Sequence, residues 1–594
     1  MSSIVSAFDK DFRSKRLGEN GHVEYDWSKK TRELISQFYF QLVRTEDTSD
    51  LKNKLTFLLK KLTWEDNEEE LTALYKIMAQ TRDIVNGKGD YENTWMQMLV
   101  WYEYYPDLTY NAFVHCVDFT HKCLNGHQYG SFKDIKYFLA YVKENTELGE
   151  AHPLVNYILT NIAMKWLKRD ENLLNQGKPV SLCGRWIPRE KSSKRFNWIF
   201  NKLARIMYKD FGAEPPNGWK NHSQMKKAQL KQKIHLKKLL VKLSGNNGGS
   251  DTAQVKMSQG RWSELDFNMV TSITLRKQKN AICNKTNLGL QRSNLIDRKK
   301  CAQNYNTHIK KCMSGDEKAK IHGKRLNVGE LAKDGYNYDS STDENNVIRN
   351  TINLQWESHG ENNKGLENMC IIPMCDTSGS MEVDDGLPLN NAIGLTIRIS
   401  EICHPAFRHR ALTFDRIPKW VQFNENEDFV DKAKKLKKSA WGCNTDFFLA
   451  CDKMIQSLVE NNVNPSEVKN LVLAVFSDMQ FDSSSHNGNI FDSAHEKLVD
   501  MFAEAGLKTT YKTPYDPPHI LFWNLRKTDG FPATTFTKNV SFLSGYNSTL
   551  LNIFCSEGIS AIRQATPYSL IQKSLDISRY YPMDENISDY LSMV

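Results

Sequence analysis

Through the first 240 or so residues, apolar side chains recur three and four positions apart, the period of an amphipathic helix. TRELISQFYFQLVR (31–44), DLKNKLTFLLKKL (50–62) and DNEEELTALYKIMAQTRDIV (66–85) carry it in turn. Asn86-Gly87-Lys88-Gly89 then interrupts the chain, and YENTWMQMLVWYEYY starts a helix that ends at Pro106. Segments 108–124, 131–144, 152–168, 195–209 and 224–243 repeat the pattern. Successive short helices predict an α-solenoid-like array, and the lack of a repeating period predicts an irregular one. Gly87 and Gly89 suit a tight helix–helix turn.

From Met369 the pattern becomes strand–helix alternation. MCIIPMCD, RALTF (410–414), NLVLAVFSD (470–478), HILFWNL (519–525) and VSFLSG (540–545) read as strands. PLNNAIGLTIRISEIC (388–403), DFFLACDKMIQSLV (446–459) and FDSAHEKLVDMFAEAG read as helices between them. Continuous apolar strands alternating with helices predict a doubly wound parallel sheet, Rossmann-like, covered on both faces. The two halves are joined by polar text beginning at SGNNGGSDT (244–252), which has linker chemistry. The expected organisation is an N-terminal extension (1–30), a basic helical array (31–243), a polar region partly packed on the helices (244–365) and an α/β domain (366–594). Segment 336–348 is expected to be an exposed loop.

Composition is that of an ordinary globular chain, 40% hydrophobic and 25% charged over 594 residues. No apolar run reaches the roughly 18 residues that span a bilayer. The N-terminus has no secretory pattern. Twelve cysteines occur without a CxxC pair, which suggests a reducing compartment such as the cytoplasm. Charge changes the picture more. Residues 1–360 hold 57 Lys and Arg against 41 Asp and Glu, and residues 361–594 hold 22 against 29. A basic front and a mildly acidic back suggest different partners.

The basic cluster contains Arg185, Arg189, Lys191, Lys194, Arg195, Lys226, Lys227, Lys231, Lys233, Lys237 and Lys238, with Trp186, Phe196 and Trp198 interleaved. Cations neutralise phosphates and aromatic faces stack on unpaired bases, so structured or single-stranded RNA is a candidate partner. A solvated helix face over buried aromatics is the competing reading. In the back half, Asp376 ends one predicted strand, Ser378 and Ser380 follow it, Thr445 precedes a helix and Asp478 ends the strongest strand. All five should meet at the carboxyl edge of the sheet, where such folds bind ligands. Carboxylates and hydroxyls are hard oxygen donors, suited to Mg²⁺ or Mn²⁺ and not to zinc.

DTSGSM with Thr445 and Asp478 resembles the metal-ion-dependent adhesion site of a von Willebrand factor A domain. The resemblance implies a divalent ion (Mg²⁺, Mn²⁺ or Ca²⁺) on Ser378, Ser380 and, in some members, Thr445, with Asp376 and Asp478 bound directly or through water. It also implies a protein partner whose carboxylate completes the shell. TRDIVNGKG (81–89), YGSFKDI (129–135), SLCGRWIPRE (181–190), WGCNTDF (441–447), VFSDMQFD (475–482) and ILFWNLR (520–526) are together similar to an uncharacterised family. That family pairs a helical N-terminal region with a von Willebrand A-like domain, with members in plants, fungi, bacteria and giant viruses. The layout also resembles, remotely, the Ro (TROVE) ribonucleoproteins.

Two functions follow as expectations. One is a non-catalytic binding protein that holds RNA on its helices and a protein partner through the metal. The other is a structural or scaffolding protein binding only proteins, which in a giant virus would be a particle component of the virion. An enzyme is not expected. There is no phosphate loop, GxSxG elbow, HExxH or Cys–His pair, and a single ion with no evident base leaves phosphoryl transfer the residual enzymatic reading.

Overall fold

The computed structural model describes residues 15–212, 222–244, 251–343, 345–361, 366–414, 417–439, 446–482, 493–535, 537–552, 563 and 565–593. The chain combines a helical N-terminal region with a C-terminal α/β region, and it divides into two compact units. The first comprises Met1–Asn93, Thr271–Ser293 and Gln303–Tyr580, and the second Thr94–Val270, Asn294–Ala302 and Tyr581–Val594.

The first unit is built on a six-stranded sheet. A two-stranded hairpin, β1 (Lys15–Leu17) and β2 (Val23–Tyr25), precedes it in the chain. The sheet contains β3 (Cys370–Asp376), β4 (Arg410–Phe414), β5 (Lys419–Gln422), β6 (Leu471–Ser477), β7 (His519–Asn524) and β8 (Val540–Ser544). Their order is β5-β4-β3-β6-β7-β8, and all neighbours are parallel except the antiparallel edge pair β4–β5. The expectation of a wholly parallel sheet is corrected here. The segment KWVQ begins five positions after β4 ends, and only an antiparallel return can pair so close a neighbour.

The sheet separates two cores by strict alternation. Ile371, Cys375, Val472, Ala474, Phe476, Leu521, Trp523 and Leu543 enter one core, which is closed by the helices Val328–Tyr336, Val383–Ile402 and Phe429–Ser439. Ile372, Met374, Leu473, Val475, Ile520, Phe522, Val540 and Phe542 enter the other, with the helices Phe447–Glu460 and Ala494–Lys508. Phe40, from the helix Thr31–Gln41, belongs to this second core, with its ring 4.6 Å from that of Phe542. Two layers of apolar side chains explain why the strands are uninterrupted hydrophobic runs.

Two expectations about the front half change. Residues 31–93 pack with the sheet unit, so the boundary between the units does not follow the sequential one. Residues 253–365 are also more regular than their Asn- and Lys-rich text suggests. They hold the helices Ser272–Ile282, Ile296–Met313, Val328–Tyr336 and Val347–Gly360. Their regularity comes from burial of a few residues per turn, such as Tyr305, Leu331, Ile352 and Trp356. Within 336–348, Tyr338 and Asp343 are buried, and Asp343 accepts the backbone N–H groups of Val347, Ile348 and Arg349 at the start of a helix.

The second unit is helical, with no strand among its described residues. Its helices include Pro106–Val117, Lys133–Asn145, Asn197–Met207, His222–Ser244 and Tyr581–Leu591, and Ile158–Met164 is a π-helical stretch inside a longer helix. Among the described residues, no helix is long and apolar enough to cross a membrane.

Candidate functional site

The chain leaves β3 to build β4 and β5 on one side, then crosses back to build β6, β7 and β8 on the other. The switch point therefore lies between the carboxyl ends of β3 and β6, where a crevice opens in such sheets. Asp376 ends β3, and Asp478 follows the last residue of β6. Both side chains have zero exposure. Asp376 Oδ1 accepts the Ser378 N–H at 2.9 Å, and its Oδ2 accepts the Ser477 hydroxyl. Asp478 Oδ1 accepts the Gln480 N–H at 3.1 Å. Burial first, and the neighbouring Asp478 carboxylate second, push the Asp376 carboxyl well above the ordinary carboxylate range, while the Ser378 and Ser477 hydrogen bonds oppose this.

Ser378 is buried and Ser380 half-buried, and their hydroxyl oxygens lie 3.0 Å apart. The edge of an octahedron with metal–oxygen bonds of about 2.1 Å is also about 3.0 Å. The donor set is oxygen only, as hard cations require. The Thr377 hydroxyl beside it is buried and has no hydrogen-bond partner among the described residues. Asp376, Ser378, Ser380 and Asp478 are thus brought to one edge, and they fit a divalent ion. Thr445 lies outside the described residues. Among the described residues, no group of three or more His, Cys, Asp and Glu is gathered as a metal site. The fit therefore rests on hydroxyl donors beside two carboxylates.

Three further residues at the carboxyl edge of the sheet had no prediction from sequence. Ser477 bridges to Asp376. Arg526, two residues beyond β7, donates from Nε to Asp478 Oδ2 at 2.9 Å. Lys88, from the Asn-Gly-Lys-Gly break, is buried against the end of β8, with Nζ on the Ser544 hydroxyl and the carbonyls of Tyr39 (2.7 Å) and Leu42 (3.0 Å). The readable signal for Ser477 and Arg526 is position at a strand's carboxyl end. Lys88 had none, since a lysine in a glycine turn is ordinarily solvated. Gly87 is required there, because a Cβ would lie 1.9 Å from the Gln80 carbonyl oxygen.

The basic cluster, in the second unit, divides in two. Arg189 is half-buried and donates to the carbonyls of Gly184 and Ile187. Arg185 donates to Thr252 and Gln254, Arg195 pairs with Glu144 through two bonds of 2.9 Å, and Lys233 lies 3.7 Å from Glu190. The aromatic faces are also engaged. Lys133 sits 4.3 Å over Trp186, Lys136 5.4 Å over Phe196 and Lys143 5.1 Å over Trp198. Lys191, Lys194, Lys226, Lys227, Lys231, Lys237 and Lys238 are exposed. The last five lie on the outer face of the helix His222–Ser244, around exposed Leu230, Ile234 and Val241 and opposite buried Leu236, Leu239 and Leu243.

Comparisons with known proteins bear on both halves. A family model described as a domain of unknown function (DUF7788) matches residues 370–578. An uncharacterised protein of Acanthamoeba polyphaga mimivirus, L728, is 25% identical over 548 residues, covering 90% of this chain and 83% of that one. The expected relatives in giant viruses thus include one similar over most of the chain. The crystal structure of the Deinococcus radiodurans Ro (RSR) protein aligns over 88% of this chain and 99% of its own at 10% identity, with a TM-score of 0.30. At that score the likeness carries no argument.

Proposed function

We propose that this protein is a non-catalytic binding protein whose sheet unit is a von Willebrand A-like domain, capturing a protein partner at a divalent metal. The observation that carries this reading is the meeting of Asp376, Ser378, Ser380 and Asp478 at the switch point, with two serine hydroxyls 3.0 Å apart. In this reading Asp376 and Asp478 supply charge, and Ser378 and Ser380 supply neutral oxygens. A bound Mg²⁺ would offer an electrophilic position for a partner's carboxylate oxygen. Ser477 and the Ser378 N–H hold the Asp376 carboxylate in orientation.

Wild-type protein should melt at a higher temperature as Mg²⁺ is titrated in, and Asp376→Asn should abolish the response while keeping its metal-free melting temperature within a few degrees. Differential scanning calorimetry with and without EDTA reads both. An unshifted wild-type transition at millimolar Mg²⁺ would remove the metal from the reading.

A second reading adds RNA on the helical unit. The observation favouring it is the run of exposed lysines on the helix His222–Ser244, which contains no acidic residue. A particle component binding only proteins is the alternative, and the mimivirus relative is compatible with it.

A further inference from the structure

Arg526 faces two carboxylates of unlike standing. Its Nε holds Asp478, which has no exposure. Its Nη2 and Nη1 hold Glu19 Oε2 at 2.6 Å and Oε1 at 3.3 Å, and the Glu19 side chain is 56% exposed. Removing the inner partner would strand a buried charge, so that pairing is permanent. The outer one reaches the surface through Glu19, where a competing carboxylate can meet the same two donors.

Glu19 reaches this place in the connection of the β1–β2 hairpin. Its N–H donates to Gln480 Oε1 at 2.6 Å, and Asn20 Nδ2 donates to the Gln480 carbonyl at 2.8 Å. Gln480 in turn donates its own N–H to Asp478. The hairpin thus lays a carboxylate on the rim of the sheet edge through hydrogen bonds that a different extended segment could make. The two cations that precede Glu19 in the chain face acids around that rim, Arg16 also lying 3.3 Å from Glu24 of the hairpin. Lys15 pairs with Glu496 at 2.9 Å, and Arg16 lies 3.9 Å from Asp529. Outer strand β1 is exposed along its length.

We propose that Arg526 is a carboxylate-binding residue of an interaction surface at this sheet edge, that its partner is an extended protein segment carrying one acidic residue shortly after a basic pair, and that Glu19 fills the partner's place in the free protein. The guanidinium supplies two parallel N–H donors, the geometry that selects a carboxylate. The acidic rim disfavours a polyphosphate, so nucleic acid is not the expected occupant. The inference needs no metal and stands apart from the reading above.

The test uses the full chain and a labelled, end-blocked pentapeptide, lysine-arginine-glycine-glycine-glutamate, read by fluorescence polarisation in Mg²⁺ and in EDTA. Glu19→Gln should bind it about fivefold more tightly than wild type, since the Glu19 carboxylate no longer competes. The gain should be equal in both buffers. Adding Arg526→Lys should remove most of it, because the ammonium keeps the charge that balances Asp478 but loses the paired donors. Melting curves should show all three chains folded. The proposal is overturned if Glu19→Gln changes nothing, if the glutamine version of the peptide binds equally, or if single-stranded oligothymidylate takes the place instead. A gain confined to Mg²⁺ would also overturn it, assigning the carboxylate to the metal.

Discussion

At the scale of single residues, burial decides which side chains do chemistry and which hold the structure. His519 begins β7 without exposure, its Nε2 lying 2.7 Å from the Ser541 hydroxyl. Burial foremost, with Arg563 and His495 adding repulsion, pushes its pKa down to about 3. The folded protein therefore holds the ring neutral, while an unfolded chain takes up a proton near pH 6.5. Stability from this group is full above that pH and is lost as pH falls from about 6.5 toward 3. At pH 5.5 the loss is about 1.4 kcal/mol. His359, held near 3 by burial and then by Arg398, acts in the same direction. Between pH 7.0 and 5.5 the urea midpoint of His519→Gln should fall less than that of wild type. Of the expected site residues, Asp376, Ser378, Ser380 and Asp478 were legible because each stands at or just after the end of a strongly patterned strand. Arg526 and Glu19 were not, since 507 residues separate them and only the folded hairpin brings them together.

At the scale of elements, helical periodicity identified most helices of the front half, and charge marked one of them. The helix His222–Ser244 buries Leu236, Leu239, Leu240 and Leu243 and turns its lysines outward. Clustered cations in the text did not separate the two kinds of arginine and lysine found here. Arg189 closes backbone carbonyls, while Lys226, Lys227, Lys231, Lys237 and Lys238 face solvent. Replacing these five lysines by glutamine should leave the fold intact, because all five side chains are exposed. If RNA is held there, affinity for structured or single-stranded RNA should drop more than tenfold at low salt, and the salt dependence should flatten by about one unit of slope for each phosphate no longer neutralised. Fluorescence anisotropy at two salt concentrations measures both, and unchanged binding would leave the face as a solubility feature.

At the scale of the whole molecule, the sheet unit takes essential parts from far upstream. Phe40 and Tyr25 lie in the core that also holds Phe531 and Phe542, Asn524 donates to the Phe40 carbonyl at 3.2 Å, and Asp83 is gripped by Arg579 through two bonds of 2.6 Å. A fragment of residues 366–594 lacks all of these partners. It should express as aggregate or unfold without a cooperative transition, whereas the full chain should show one, as circular dichroism on heating would report. Such a fragment removes Asp83 from Arg579, a pair buried in the full chain.

The amino-acid sequence by itself determined the alternation of strand and helix after Met369, the helical front, the uneven charge and the oxygen donors at two strand ends. Those are local facts, carried by period and by residue type. Tertiary structure alone decided that residues 31–93 complete the sheet unit, that Lys88 is buried, and that Arg526 joins Asp478 to Glu19. These depend on which distant surfaces bury one another, and hydrophobic burial is non-directional. A helix's pattern therefore states that it has an apolar face, and only the fold states what covers it.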